Sequence, residues 1–162
     1  MPSLPPGRKE EKIMRGKKWI CGWGIFLAAT LIAGADERSD FVRTNYTKYE
    51  YKIPMRDGVK LFTAVYTPND RSKTYPFLMT RTPYGVGPYG QDRYRDSLGP
   101  NELEKEGMIF VFQDVRGRYM SEGEFVHMRP QNPAKQSNQD IDESTDTYDT
   151  IEWLLNHVGN HN

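Results

Sequence analysis

The sequence predicts an open α/β sheet, and three observations carry that prediction. A hairpin signal, Arg56-Asp57-Gly58, sits between two runs of alternating apolar and polar residues. A continuous apolar run, Met108 to Phe112, has the composition of a parallel strand buried on both faces. A periodic helical segment, Glu143 to His157, follows it. Strands and helices in alternation favour a sheet covered by helices. A small all-β sandwich is the alternative, and the terminal helix argues against it.

The N-terminal 35 residues stand apart. They hold six Lys/Arg and two acids, and the stretch Trp19 to Ala35 carries no charge. It ends Ala33-Gly34-Ala35, the small-x-small pattern that signal peptidase accepts, so residues 1–35 read as a secretory signal peptide. Met14 is an alternative start, because Met14 to Ala35 alone makes a signal of ordinary length. An uncleaved anchor is the competing reading. Cleavage predicts a secreted or periplasmic protein without stable membrane association. Cys21, the single cysteine, lies inside this segment, so residues 36–162 offer no disulfide, thiol chemistry or cysteine–zinc site. Those residues carry 20 acids against 16 bases, a net charge of −4 without a Lys/Arg cluster, which argues against a nucleic-acid partner.

Within residues 36–162, the segment 36–48 is polar and reads as a flexible lead-in. Tyr49 to Pro68 forms the hairpin, whose turn needs the positive φ that Gly58 supplies at little cost. Pro76 introduces a strand over Phe77 to Thr80, which runs into Arg81-Thr82-Pro83-Tyr84-Gly85. Gly85 to Pro100 is rich in Gly, Tyr and Arg and reads as an irregular loop. Asn101 to Glu106 makes a short helix, which composition alone allows to extend back through Arg93 to Asp96. Arg118 to Asp142 is a long loop, a length usually reserved for lids or functional excursions. In the last helix Tyr148, Ile151, Leu154 and Leu155 form one apolar stripe, with Asp142, Ser144 or Asp146 as its cap. In a βαβ unit a helix leads the chain back to another parallel strand, and no such strand follows here. The sequence therefore reads as an N-terminal fragment.

Tyr84 is the candidate functional residue. A rigid Pro-Tyr-Gly turn at the end of a strand is where α/β proteins place chemistry, although an aromatic there can also simply pack over the strand end. Four stretches then fall in a shared order: Met55 to Leu61; Arg81-Thr82-Pro83-Tyr84; Gln113 to Arg118 with Ser121 to Phe125; and Tyr148 to Leu154. Together they resemble the cocaine-esterase and α-amino-acid ester hydrolase group (glutaryl-cephalosporin acylase-like acyl esterases), which stands with the X-Pro dipeptidyl-peptidases among the α/β-hydrolases. The similarity covers about Tyr49 to Asn162.

The resemblance implies the N-terminal part of an α/β-hydrolase fold, truncated before the strand that carries the nucleophile. It implies a serine hydrolase of esters or amides with a Ser–Asp–His triad, no cofactor and no metal. It assigns Tyr84 the role of oxyanion donor, the second donor being the backbone N–H after the serine. The triad lies beyond Asn162, so the chain alone is expected to be inactive on its small ester, amide or short-peptide substrate. The X-Pro dipeptidyl-peptidase type is the alternative activity, and a non-catalytic secreted binding domain the alternative class.

Other polar residues have plainer readings. Ser121 in Tyr119-Met120-Ser121-Glu122-Gly123 lacks the first Gly of a nucleophile elbow and reads as a turn residue. His127, His157 and His161 precede the expected serine, the wrong chain order for a triad base. Asp114, Arg116 and Gly117 read as structural: a carboxylate for loop N–H groups, a guanidinium for acids, and a positive φ. The acids Asp140, Asp142, Glu143, Asp146 and Asp149 suit a helix N-terminus better than a calcium loop.

Overall fold

A computed structural model describes residues 37–162; the signal-peptide reading of 1–35 lies outside the described residues. The described residues begin with a helical segment, 37–45 (α1). The chain continues as β1 (Tyr46–Pro54), β2 (Lys60–Pro68), β3 (Phe77–Thr82), α2 (Asn101–Glu106), β4 (Ile109–Asp114) and α3 (Glu143–His157). Among the described residues no helix is long and apolar enough to cross a membrane.

The four strands form one mixed sheet in the order β1-β2-β4-β3. β1 and β2 are the antiparallel hairpin, β2 pairs antiparallel with β4, and β4 pairs parallel with β3. The two central strands explain the apolar runs. Every residue of β4, and every residue of β2 after Lys60, is buried, because both faces are covered. Alternation sorts their side chains between two cores. Phe62, Ala64, Tyr66, Phe110 and Phe112 face a cluster with Val42 and Tyr46; Leu61, Val65, Ile109 and Val111 face one with Leu154 and Val158.

The flexible lead-in expected over 36–48 is corrected: residues 37–45 are helical and Tyr46 to Lys48 already belong to β1. Val42 and Tyr46 are buried in the first core, and the Arg38 guanidinium donates to both Glu104 carboxylate oxygens at 3.1 Å. Glu104 is buried and also receives Ser97 Oγ and the Leu98 and Gly99 N–H groups. Burial raises its pKa, but these donors outweigh that and hold it below the usual carboxylate range. α2 is not extended back, since residues 93–96 are non-helical.

α3 has the expected bounds, and Asp142 is its cap. The Asp142 carboxylate accepts from Thr145 N–H while Thr145 Oγ1 accepts from Asp142 N–H, a capping box. The expected apolar stripe does not form the contact face. Of its four residues only Leu154 is buried, while Tyr148, Ile151 and Leu155 are exposed. The helix instead lays Asp146, Thr150 and Leu154 on the sheet. Buried polar contacts replace apolar ones: Gln113 Nε2 donates to Thr63 Oγ1 and Thr150 Oγ1, both at 2.9 Å, and Arg81 Nε donates to Gln113 Oε1 at 2.7 Å.

Candidate active-site edge

Parallel pairing of Thr82 with Asp114 brings the C-terminal ends of β3 and β4 to one edge of the sheet. Two turns leave that edge together, the position where open α/β sheets build their sites. The first is Pro83-Tyr84-Gly85. Pro83 fixes the entry φ, Tyr84 N–H donates to Thr82 Oγ1 at 3.2 Å, and Gly85 takes φ +91°. Between the half-buried Pro83 and the buried Val86, Tyr84 is 80% exposed. The turn presents the phenol to solvent at the edge.

The second turn begins at Asp114. Its carboxylate is fully buried and accepts from Val86 N–H (3.0 Å), Tyr89 Oη (3.0 Å) and Met120 N–H (3.3 Å). Burial pushes this carboxyl above the ordinary Asp range, and the three donors only partly oppose it. The Tyr89 phenol is pushed up to about 12 by burial and by the neighbouring Asp114 charge. Arg116 is buried and forked between two acids, Asp57 of the hairpin turn at 2.7 Å and Asp146 of α3 at 2.7 Å. Burial alone would lower its pKa; hydrogen bonds to the two carboxylates outweigh this and raise it. Gly117 takes φ +67°. The carboxylate, guanidinium and glycine roles read from the sequence are the ones observed.

Ser121 is a turn residue as expected. Its Oγ donates to Asp114 O at 2.6 Å and accepts Phe62 N–H at 2.8 Å, and no histidine bonds to it. His157 and His161 contact the backbone carbonyls of Trp153 and Leu155, while His127 is exposed on the long loop. The acids around α3 each have a partner: Asp140 the Gln136 and Ser137 N–H groups, Asp142 Lys135 and the cap, Glu143 Arg81, Asp146 Arg116, and Asp149 Arg56. Among the described residues no group of three or more His, Cys, Asp or Glu is placed to hold a metal ion.

Sequence reasoning missed Lys48. Its ammonium is fully buried within 2.9 Å of Glu50 Oε1 and the Pro88, Gly90 and Arg93 carbonyls, and so it anchors the loop beyond Tyr84. A lysine in a strand of alternating residues ordinarily reads as solvent-facing, and nothing local marks the carbonyls that gather around it.

The architecture is that of the N-terminal portion of α/β-hydrolase-type esterases, and two solved structures share it. An α-amino acid ester hydrolase is 41% identical with a TM-score of 0.61, over 73% of this chain and 20% of its own. An aminopeptidase from a marine-sediment Thaumarchaeota archaeon is 37% identical with a TM-score of 0.60, over 76% of this chain and 21% of its own. Among curated proteins, cocaine esterase of Rhodococcus sp. (strain MB1 Bresler) is 33% identical over 109 residues, 64% of this chain and 16% of that protein. The sequence profile of the X-Pro dipeptidyl-peptidase (S15) family matches residues 57–162, and the chain belongs to that family. It spans about a fifth of the length of these relatives.

Proposed function

We propose that this chain is the N-terminal part of a secreted serine hydrolase that cleaves ester or amide bonds by acyl transfer, with Tyr84 donating to the oxyanion. The observation that carries the reading is the exposed Tyr84 phenol on an otherwise anchored turn at the C-terminal edge of the parallel pair. A phenol is a neutral donor near pH 7 and can be aimed at charge that develops only in the transition state. The nucleophilic hydroxyl would come from outside these 162 residues; Ser121, the serine in a partial nucleophile motif, is committed to Asp114 and Phe62. The 162-residue product alone should then leave a p-nitrophenyl ester unhydrolysed above background.

Expression of the whole open reading frame tests the reading. Hydrolysis of the ester and covalent inactivation by a fluorophosphonate are expected. Tyr84→Phe should lower kcat by about 100-fold with little change in KM, since an oxyanion donor acts in the transition state. Wild-type kcat in that variant would remove the assignment. An X-Pro p-nitroanilide assayed in parallel decides between esterase and peptidase, the second reading being favoured by the archaeal aminopeptidase among the similar structures. N-terminal sequencing of the exported product, expected to begin at Asp36, checks the signal peptide.

A further inference from the structure

The four residues that flank Tyr84 are each held by a residue of one short segment, Asp114 to Tyr119. Thr82 O accepts Val115 N–H at 3.2 Å. Pro83 O accepts Arg118 Nε at 2.9 Å. Gly85 lies against the Tyr119 ring so closely that a Cβ there would stand 3.0 Å from Tyr119 Cζ. Val86 N–H donates to Asp114 Oδ1 at 3.0 Å. The Tyr84 backbone is tied to Thr82 Oγ1, and its side chain is left exposed.

Two features of that segment are costly if the turn needed only to fold. Tyr119 has φ +47°, a region that bulky residues rarely enter and that tends to persist where function requires it. Arg118 lies over the Tyr119 ring at 5.5 Å and over Phe125 at 5.0 Å, which fixes both side chains in place. Asp114 is a fully buried carboxylate for which no ion pair is found among the described residues; its partners are two backbone N–H groups and a phenol. Burying such a charge is expensive, and an amide of the same shape would be cheaper if packing were its only task. A carboxylate differs in accepting at every position, so it draws donors from the Tyr84 loop and from the 117–123 turn at once.

We propose that Asp114 to Tyr119 is the positioning element of Tyr84, with Asp114 as the positioning residue that locks the two turns together. The proposal rests on the reading of Tyr84 as the oxyanion donor. In this arrangement Asp114 touches no substrate; it acts by limiting where the Tyr84 hydroxyl can be.

Two measurements test it. In the full-length gene product, Asp114→Asn should speed amide hydrogen exchange at Val86 and Met120 by about tenfold, as expected for losing a charge-assisted hydrogen bond. The amides of Val65 and Val111 in the sheet should keep their rates. In the full-length gene product the same variant should lower kcat by at least about tenfold and change KM by less than about threefold. Combined with Tyr84→Phe, it should cost no more than Tyr84→Phe alone, because one residue acts through the other. Unchanged exchange at Val86 would overturn the proposal. So would an equal loss of kcat from Asp114→Asn with and without the Tyr84 hydroxyl, which marks a structural role. If Asp114→Asn does not fold, Arg118→Met removes the Pro83 contact at a half-buried site, and the same exchange and cycle readings decide. Full activity in Tyr84→Phe would remove the donor role itself, while exchange at Val86 still reports whether the segment holds the turn.

Discussion

At the scale of single residues, two glycines with similar backbones separate local from tertiary demands. Gly58 (φ +88°) has open space where a Cβ would go, whereas at Gly117 (φ +67°) a Cβ would stand 2.1 Å from Phe125 N and 2.6 Å from Glu124 C. Gly58→Ala should cost about 1–2 kcal/mol, the price of the left-handed conformation alone. Gly117→Ala adds a clash with backbone that cannot rotate away and should cost more than about 3 kcal/mol. Urea titration of both variants measures the difference, and equal midpoints would contradict it. Both glycines were legible in the sequence as turn markers, as was the Pro83-Tyr84-Gly85 turn. The Tyr119 ring on Gly85 was not, because it joins two loops whose approach is set by the β3/β4 register.

At the scale of elements, α3 shows how far periodicity carries. Its bounds and cap follow from Asp142 and from the run of helix-compatible residues after it. Its contact face does not, because Asp146 and Thr150 are buried against Arg116 and Gln113. Hydropathy treats such polar residues as outward-facing; only the partner strands reveal that their hydrogen bonds are met inside. Helix α1 was hidden for a related reason, since Phe41 and Val42 are the only apolar residues between positions 37 and 45 and Arg38 is held by a glutamate far along the chain. The cap gives a measurable consequence. Asp142→Ala should lower stability by about 1–2 kcal/mol in chemical denaturation, by freeing Thr145 N–H and removing the carboxylate that pairs with Lys135.

At the scale of the whole molecule, its acids decide the response to pH. Asp142, Asp149 and Glu104 are each penalised by burial but held below their ordinary range by stronger hydrogen bonds and cations. A carboxyl depressed in the folded state binds protons less tightly there than in the unfolded chain. Its stabilisation is therefore complete above the unfolded pKa, about 4, and is lost as pH falls below that. Asp114, raised by burial, works in the opposite sense and offsets part of the loss. The urea midpoint should hold near neutrality and drop steeply below about pH 4; a midpoint that rises on acidification would contradict the assignment. Arg116 has a further consequence, in time rather than in energy. Its two carboxylates lie 59 and 30 residues away, so the fork is complete only after both the hairpin and α3 have docked. Contacts that close last are absent from the barrier. Arg116→Met should consequently speed unfolding severalfold and leave the refolding rate nearly unchanged, so that in stopped-flow the fork acts as a latch on an already assembled sheet.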